Sequence, residues 1–143
     1  LVDDDMRNVF SLSKQLRDTG LVVDVAENGQ VALDKLKEKN GGYDLVLMDI
    51  MMPVMDGFEA TRQIRQNPDY AELPVIALTA KAMAEDKVKC FDAGVSAFMT
   101  KPIEIDALLL NLRVWLFKSS PDTKQLIADI QLHFDKPKQS KSA

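Results

Sequence analysis

Four polar features of this 143-residue chain could act together: Asp3-Asp4-Asp5 near the start, Asp49, Thr79 and Lys101. Asp49 closes the apolar run Leu45-Val46-Leu47-Met48, Thr79 closes Val75-Ile76-Ala77-Leu78, and Lys101 comes just after Ser96 to Met99. Continuous apolar runs are the mark of strands covered on both faces of a parallel sheet. Open α/β sheets bind ligands beyond the carboxyl ends of their strands, so these side chains would meet along one rim. Carboxylates delivered there from two strands repel and raise one another's pKa unless a cation neutralises them. Magnesium suits a few carboxylates together with waters and a phosphate. Lys101 adds a point positive charge and Thr79 a hydroxyl donor. Nucleophile, metal clamp, cation and hydrogen-bond donor are the parts that phosphoryl transfer uses.

The elements that must position these groups alternate strand and helix five times. Leu1-Val2 leads into a helix from about Met6 to Asp18, with Met6, Val9, Phe10 and Leu16 expected inward and Gly20 as its stop. Leu21-Val22-Val23 begins a second strand, and a helix follows with Ala32, Leu33 and Leu36 inward. The Asp49 strand is third, and Phe58 to about Gln66 is the third helix, ending before Asn67-Pro68. The Val75 strand is followed by a fourth helix with Val88 and Phe91 expected inward, stopping at Gly94. After the fifth strand, Glu104 to Phe117 forms the last regular helix, with Ile105, Leu108, Leu109, Leu112 and Leu116 at core spacing. Such alternation implies right-handed βαβ crossovers, giving a doubly wound five-stranded parallel sheet with helices on both faces. The expected type is flavodoxin-like, with strand order 2-1-3-4-5.

Composition narrows the function classes. A hydrophobic content of 46% with 28% charged residues is that of a soluble globular chain. No apolar stretch approaches the roughly 20 residues that span a bilayer, so no membrane contact is expected of this domain. The net charge of −4 offers no electrostatic reason for a nucleic-acid partner. A single cysteine, Cys90, excludes an internal disulfide and fits a reducing, cytoplasmic compartment.

The chain resembles a two-component response-regulator receiver domain over about residues 1–118. The resemblance rests on Val2-Asp3-Asp4-Asp5, Met48-Asp49 through Met52-Pro53, Met55-Asp56-Gly57, Leu78-Thr79-Ala80 and Thr100-Lys101-Pro102. It implies that Asp49 accepts a phosphoryl group from a phosphohistidine on a kinase or phosphotransfer domain. It further implies Mg2+ held by Asp4, Asp49 and the backbone carbonyl of Met51, with Asp3 acting through water. Thr79 and Lys101 would hold the phosphoryl oxygens, and Phe98 would be the aromatic whose rotation reports phosphorylation. The Lys101-Pro102 bond is expected to be cis. Beyond its own phosphorylation and dephosphorylation, such a domain is not a stand-alone enzyme.

Other residues are given simpler roles. Asp5 and Asp56 are read as helix caps, Cys90 as a packing residue, and His133 lacks the acidic neighbour expected of a phosphodonor. Met51 and Lys81, two positions after Asp49 and Thr79, cannot orient water as a carboxamide or carboxylate could, so a phosphoryl state lasting minutes or more is expected. A phosphatase of haloacid-dehalogenase type would need a second aspartate where Met51 stands. Leu110, Val114 and Phe117 form an extra apolar face on the last helix, fit for a homodimer through helix 4, strand 5 and helix 5, or for the chain's own tail. That tail, residues 119–143, carries a linker, an amphipathic stripe at Leu126, Ile127, Ile130 and Phe134, and a basic end expected to be disordered. The abrupt start and lack of an effector point to a receiver of a hybrid sensor histidine kinase, whose parent chain could be membrane-anchored. A free-standing single-domain regulator is the alternative.

Overall fold

The computed structural model describes residues 1–40, 42–80 and 83–117. Its elements are α1 (Met6–Asp18), α2 (Gly29–Glu38), β1 (Val46–Asp49), α3 (Gly57–Gln66), a 3-10 turn (Pro68–Tyr70), β2 (Val75–Thr79), α4 (Ala84–Ala93), β3 (Ala97–Thr100) and α5 (Ile105–Leu116). β1, β2 and β3 pair in parallel in that order, with Asp49 opposite Leu78 and Thr79 opposite Thr100. Val2 bridges both Met48 and Ala26 in parallel. The rows across the molecule therefore run Ala26, Val2, β1, β2, β3, the order expected from the sequence.

The two leading segments pair only as bridges. The pairing of the second falls on Ala26 rather than on Leu21-Val22-Val23, and Val22 is exposed. Between these segments Ala26 N–H donates to the Leu1 carbonyl at 2.9 Å and Asp3 N–H to the Ala26 carbonyl at 3.0 Å.

Every residue of β1 and β2 is buried, yet alternate side chains enter opposite layers. Met48, Val75 and Ala77 join Ala60, Ile64 and Cys90 on the side of α2, α3 and α4. Leu47, Ile76 and Leu78 join Leu16, Leu108 and Leu112 on the side of α1 and α5. Burying one such side chain contributes roughly 1.5–3 kcal/mol, so β1 and β2 are the stiff centre that carries the site residues at their ends.

Asp5 and Asp56 cap helices as the sequence reading has them, and Asn28 is a further cap. Asp5 accepts from Arg7 N–H at 3.0 Å, Asn28 from Val31 N–H at 2.9 Å and Asp56 from Glu59 N–H at 2.9 Å. Gly94 ends α4 in the left-handed region at φ 108°. The Lys101-Pro102 bond is cis.

Helix faces differ from expectation in three places. The buried stripe of α1 is Val9, Ser13 and Leu16, and Phe10 is 75% exposed, as is most of Met6. Met6 and Phe10 lie roughly 60–100° around the helix from Val9, and Ser13 joins the stripe because its hydroxyl donates to the Phe10 carbonyl at 3.3 Å. In α4 the buried residues are Cys90 and Ala93, and Val88 and Phe91 are turned outward. Small side chains there let the helix approach α3 closely. On α5, Val114 is 6% exposed, so it belongs to the core, and only Leu110 and Phe117 of the supposed outer face are open to solvent. The expected roles of Lys81, of His133 and of the rest of residues 119–143 lie outside the described residues.

Gly57 fixes the turn between β1 and α3. Its N–H donates to the Ile50 carbonyl at 2.9 Å, and a β-carbon there would stand 2.4 Å from the Asp49 carbonyl oxygen and 2.8 Å from Ile50 Cα. Both neighbours are backbone, so neither can rotate away. Gly57→Ala is expected to cost about 1–3 kcal/mol, read as a lowered urea midpoint. A midpoint equal to wild type would show that the turn tolerates the extra methyl.

Candidate functional site

The carboxyl ends of Val2, β1, β2 and β3 bring Asp3, Asp49, Thr79 and Lys101 to one edge of the sheet. Asp49 is the last residue of β1; its N–H donates to the Val2 carbonyl at 2.8 Å, tying the first segment to the central strand. Asp49 and Asp3 are 4% and 2% exposed, whereas Asp4 is open to solvent. Asp3, Asp4 and Asp49 each offer a carboxylate oxygen, and these oxygens lie within 4.8 Å of one another.

Lys101 enters from the far side. Its Nζ donates to Asp49 Oδ1 at 3.1 Å and lies 3.6 Å from Asp3 Oδ2. Its backbone N–H donates to the Thr79 carbonyl at 2.7 Å, so the end of β2 sets where this lysine begins. Thr79 is buried at the same edge. The second Asp3 oxygen accepts the Asp5 N–H at 2.9 Å. The sequence reading placed Asp3 behind a water molecule; here it also pairs with Lys101. No local pattern could have found that pair, because its members come from opposite ends of the domain.

Burial pushes the Asp49 carboxyl up to about 6; the Lys101 hydrogen bond opposes this, and repulsion from Asp3 adds to it. Burial pulls the Lys101 ammonium down, but Asp49 and Asp3 outweigh it and hold its pKa above that of an ordinary lysine. Near pH 7 a carboxyl with that pKa is ionised by about ten to one, so Asp49 is available as a nucleophile. Among the described residues three carboxylates face one ammonium, that of Lys101, which leaves negative charge in excess. That excess, with all donors being oxygen, fits a hard divalent cation such as magnesium.

Met51 follows in the loop after β1 with its side chain exposed, leaving its backbone as the part that could serve a metal. Phe98 sits one strand position before Met99 on β3, half-buried, and packs against α4.

Because the folded-state pKa of Asp49 lies above its unfolded value near 3.8, its charge opposes folding. The cost is fully present above about pH 6 and disappears as pH falls toward 4. In metal-free buffer, Asp49→Asn is expected to be more stable than wild type at pH 7.5 by on the order of 1–2 kcal/mol, with the difference closing by pH 4. Urea titrations at the two pH values measure this. A variant less stable than wild type at pH 7.5 would contradict the reading of a strained carboxylate.

The sequence matches the response regulator receiver domain family over residues 1–113. It is 40% identical over 123 residues to hybrid signal transduction histidine kinase B of Dictyostelium discoideum, which aligns 78% of this chain with 6% of that protein. It is 38% identical over 122 residues to response regulator MprA of Mycobacterium sp. (strain KMS), covering 85% of this chain and 51% of that one. The chain thus spans a small part of the hybrid kinases and about half of the shorter regulators. Among solved structures, it is similar to the receiver domain of a sensor histidine kinase from Pseudomonas aeruginosa PAO1, which holds a magnesium ion in its active-site cleft. The TM-score is 0.74 at 34% identity, over 80% of this chain and 93% of that one. The receiver domain of a histidine kinase from Syntrophus aciditrophicus gives 0.77 at 29% identity, over 84% and 89%. Fold, strand-end residues and family match agree: the chain belongs to the response-regulator receiver domains.

Proposed function

We propose that Asp49 is the phosphoacceptor of this receiver, taking a phosphoryl group from a phosphohistidine on a kinase or phosphotransfer protein. The observation that carries this reading is the Asp49 carboxylate at the end of a buried strand, beside Asp3 and Asp4 and 3.1 Å from Lys101 Nζ. One Asp49 oxygen attacks phosphorus in line. The new P–O bond forms as the P–N bond breaks, and its electron pair leaves with the imidazole nitrogen. Lys101 neutralises charge on the transferred oxygens, and the Thr79 hydroxyl donates to one of them. A bound magnesium ion, held by Asp4, Asp49 and the Met51 carbonyl with Asp3 acting through water, would supply the remaining positive charge.

Phosphorylation then acts on a surface. In this reading Thr79 moves toward the phosphoryl group, Phe98 turns inward, and α4, β3 and α5 shift between two arrangements. Their outer face is the output surface, where a second receiver could pair. The functional unit runs to residue 118, with residues 119–143 as an extension. Identity to hybrid-kinase receivers supports an origin in such a kinase, and the MprA-type matches keep a response regulator as the other reading.

Incubation with acetyl phosphate and Mg2+ should add one phosphoryl mass to the wild type and none to Asp49→Ala, read by intact mass spectrometry. Modification of the alanine variant to the same extent would move the acceptor elsewhere. Removal of Mg2+ with a chelator should slow the reaction by at least about tenfold.

The lifetime of the adduct is a separate expectation. The exposed methionine at position 51 gives attacking water no polar partner, so the phosphoryl group should persist for minutes or longer. Met51→Asn should shorten it several-fold in a decay measured by intact mass. Decay of the wild type within seconds would overturn this account of Met51.

A further inference from the structure

Phe98 is held by two side chains of α4. The Lys87 Nζ stands 5.1 Å from the centroid of its ring, and the Phe91 ring meets it edge-on, with centroids 6.3 Å apart and planes at 89°. A cation over an aromatic face and a T-shaped ring pair are both attractive arrangements. Lys87 and Phe91 are four residues apart, so they project from the same side of the helix.

The rest of α4 is anchored unevenly. Its buried residues, Cys90 and Ala93, both lie toward the carboxyl end. Just beyond them, the Gly94 carbonyl accepts from Arg65 Nε at 2.7 Å, and the same guanidinium donates to the Tyr70 carbonyl at 2.8 Å and Ser96 Oγ at 3.3 Å. The amino end has no side-chain cap at Met83 and no buried residue before Cys90. Contacts with Phe98 therefore fall between a clamped end and a loosely held one.

We propose that Lys87 and Phe91 form a latch that sets the resting position of Phe98, and so sets how readily the domain enters its phosphorylated arrangement. This rests on the reading of Phe98 as the switch aromatic and Asp49 as the acceptor. An inward turn of Phe98 breaks both contacts, so their strength is part of the free-energy gap between the two arrangements. Weakening the latch raises the population competent for the phosphoryl group, and apparent affinity rises in proportion.

The test uses beryllofluoride with Mg2+ as the phosphoryl mimic, with binding followed by NMR titration. Lys87→Met and Phe91→Leu should each bind it about 2–5-fold more tightly than wild type, while Lys87→Arg, which keeps the cation, should match wild type. In a Phe98→Leu background the effect of Lys87→Met should vanish, which a merely structural role for Lys87 would not produce. Unchanged or weaker binding in both single variants, or an undiminished effect without Phe98, would overturn the latch. Wild type that binds beryllofluoride while the variants match it removes the latch alone. Wild type that fails to bind removes the phosphoacceptor reading with it.

Discussion

The mutual repulsion of three carboxylates at the edge of a buried sheet is the constraint around which this domain is built. Asp3 and Asp49 are removed from water, and Asp4 stands beside them. Among the described residues the ammonium of Lys101 offsets part of their charge. A buried carboxylate with insufficient compensation opposes folding, and the same imbalance is of the kind a hard divalent cation offsets. Structural cost and chemical capacity are thus one property, expressed in the raised pKa of Asp49.

Holding such a cluster together requires a rigid frame. β1 and β2 supply it, since each of their residues is buried and alternate side chains fill two opposite apolar layers. Backbone contacts then set the register of the site. Asp49 N–H reaches the Val2 carbonyl, Lys101 N–H reaches the Thr79 carbonyl, and Gly57 lets α3 start directly against the Asp49 carbonyl. Each of these is a main-chain relation between strand ends, so the side chains they carry have little freedom to relax away from one another.

α4 is anchored toward one end, with Cys90 and Ala93 its buried residues. Arg65 clamps its far end through Gly94, while none of its residues from Ala84 to Lys89 is buried. On the proposed function, in which a local change of charge becomes a change of surface, one element needs weak, discrete contacts. Lys87, Phe91 and Phe98 supply contacts of that kind, because each is attractive yet partly open to water.

Much of the fold was legible in the residues. Continuous apolar runs ending in Asp49 and Thr79 marked the central strands, and Asp5, Asp56 and Gly94 marked helix ends, since capping and strand burial are local effects written in adjacent positions. The grouping of Asp3, Asp4, Asp49, Thr79 and Lys101 followed from a topological rule, that parallel strands share one carboxyl edge. Helix faces were less legible. On α1 Val9 and Leu16 face the core as expected, but Ser13 joins them while Met6 and Phe10 do not; on α4 Cys90, read as a packing residue, is buried with Ala93, while Val88 and Phe91 are not. Hydrophobicity names residues that can be buried, but the space beside each helix decides which are. The partner of Ala26, the pairing of Asp3 with Lys101 and the seating of Phe98 against α4 depend on such neighbours. Local sequence therefore determined which groups reach the rim, and tertiary packing alone decided which of them touch.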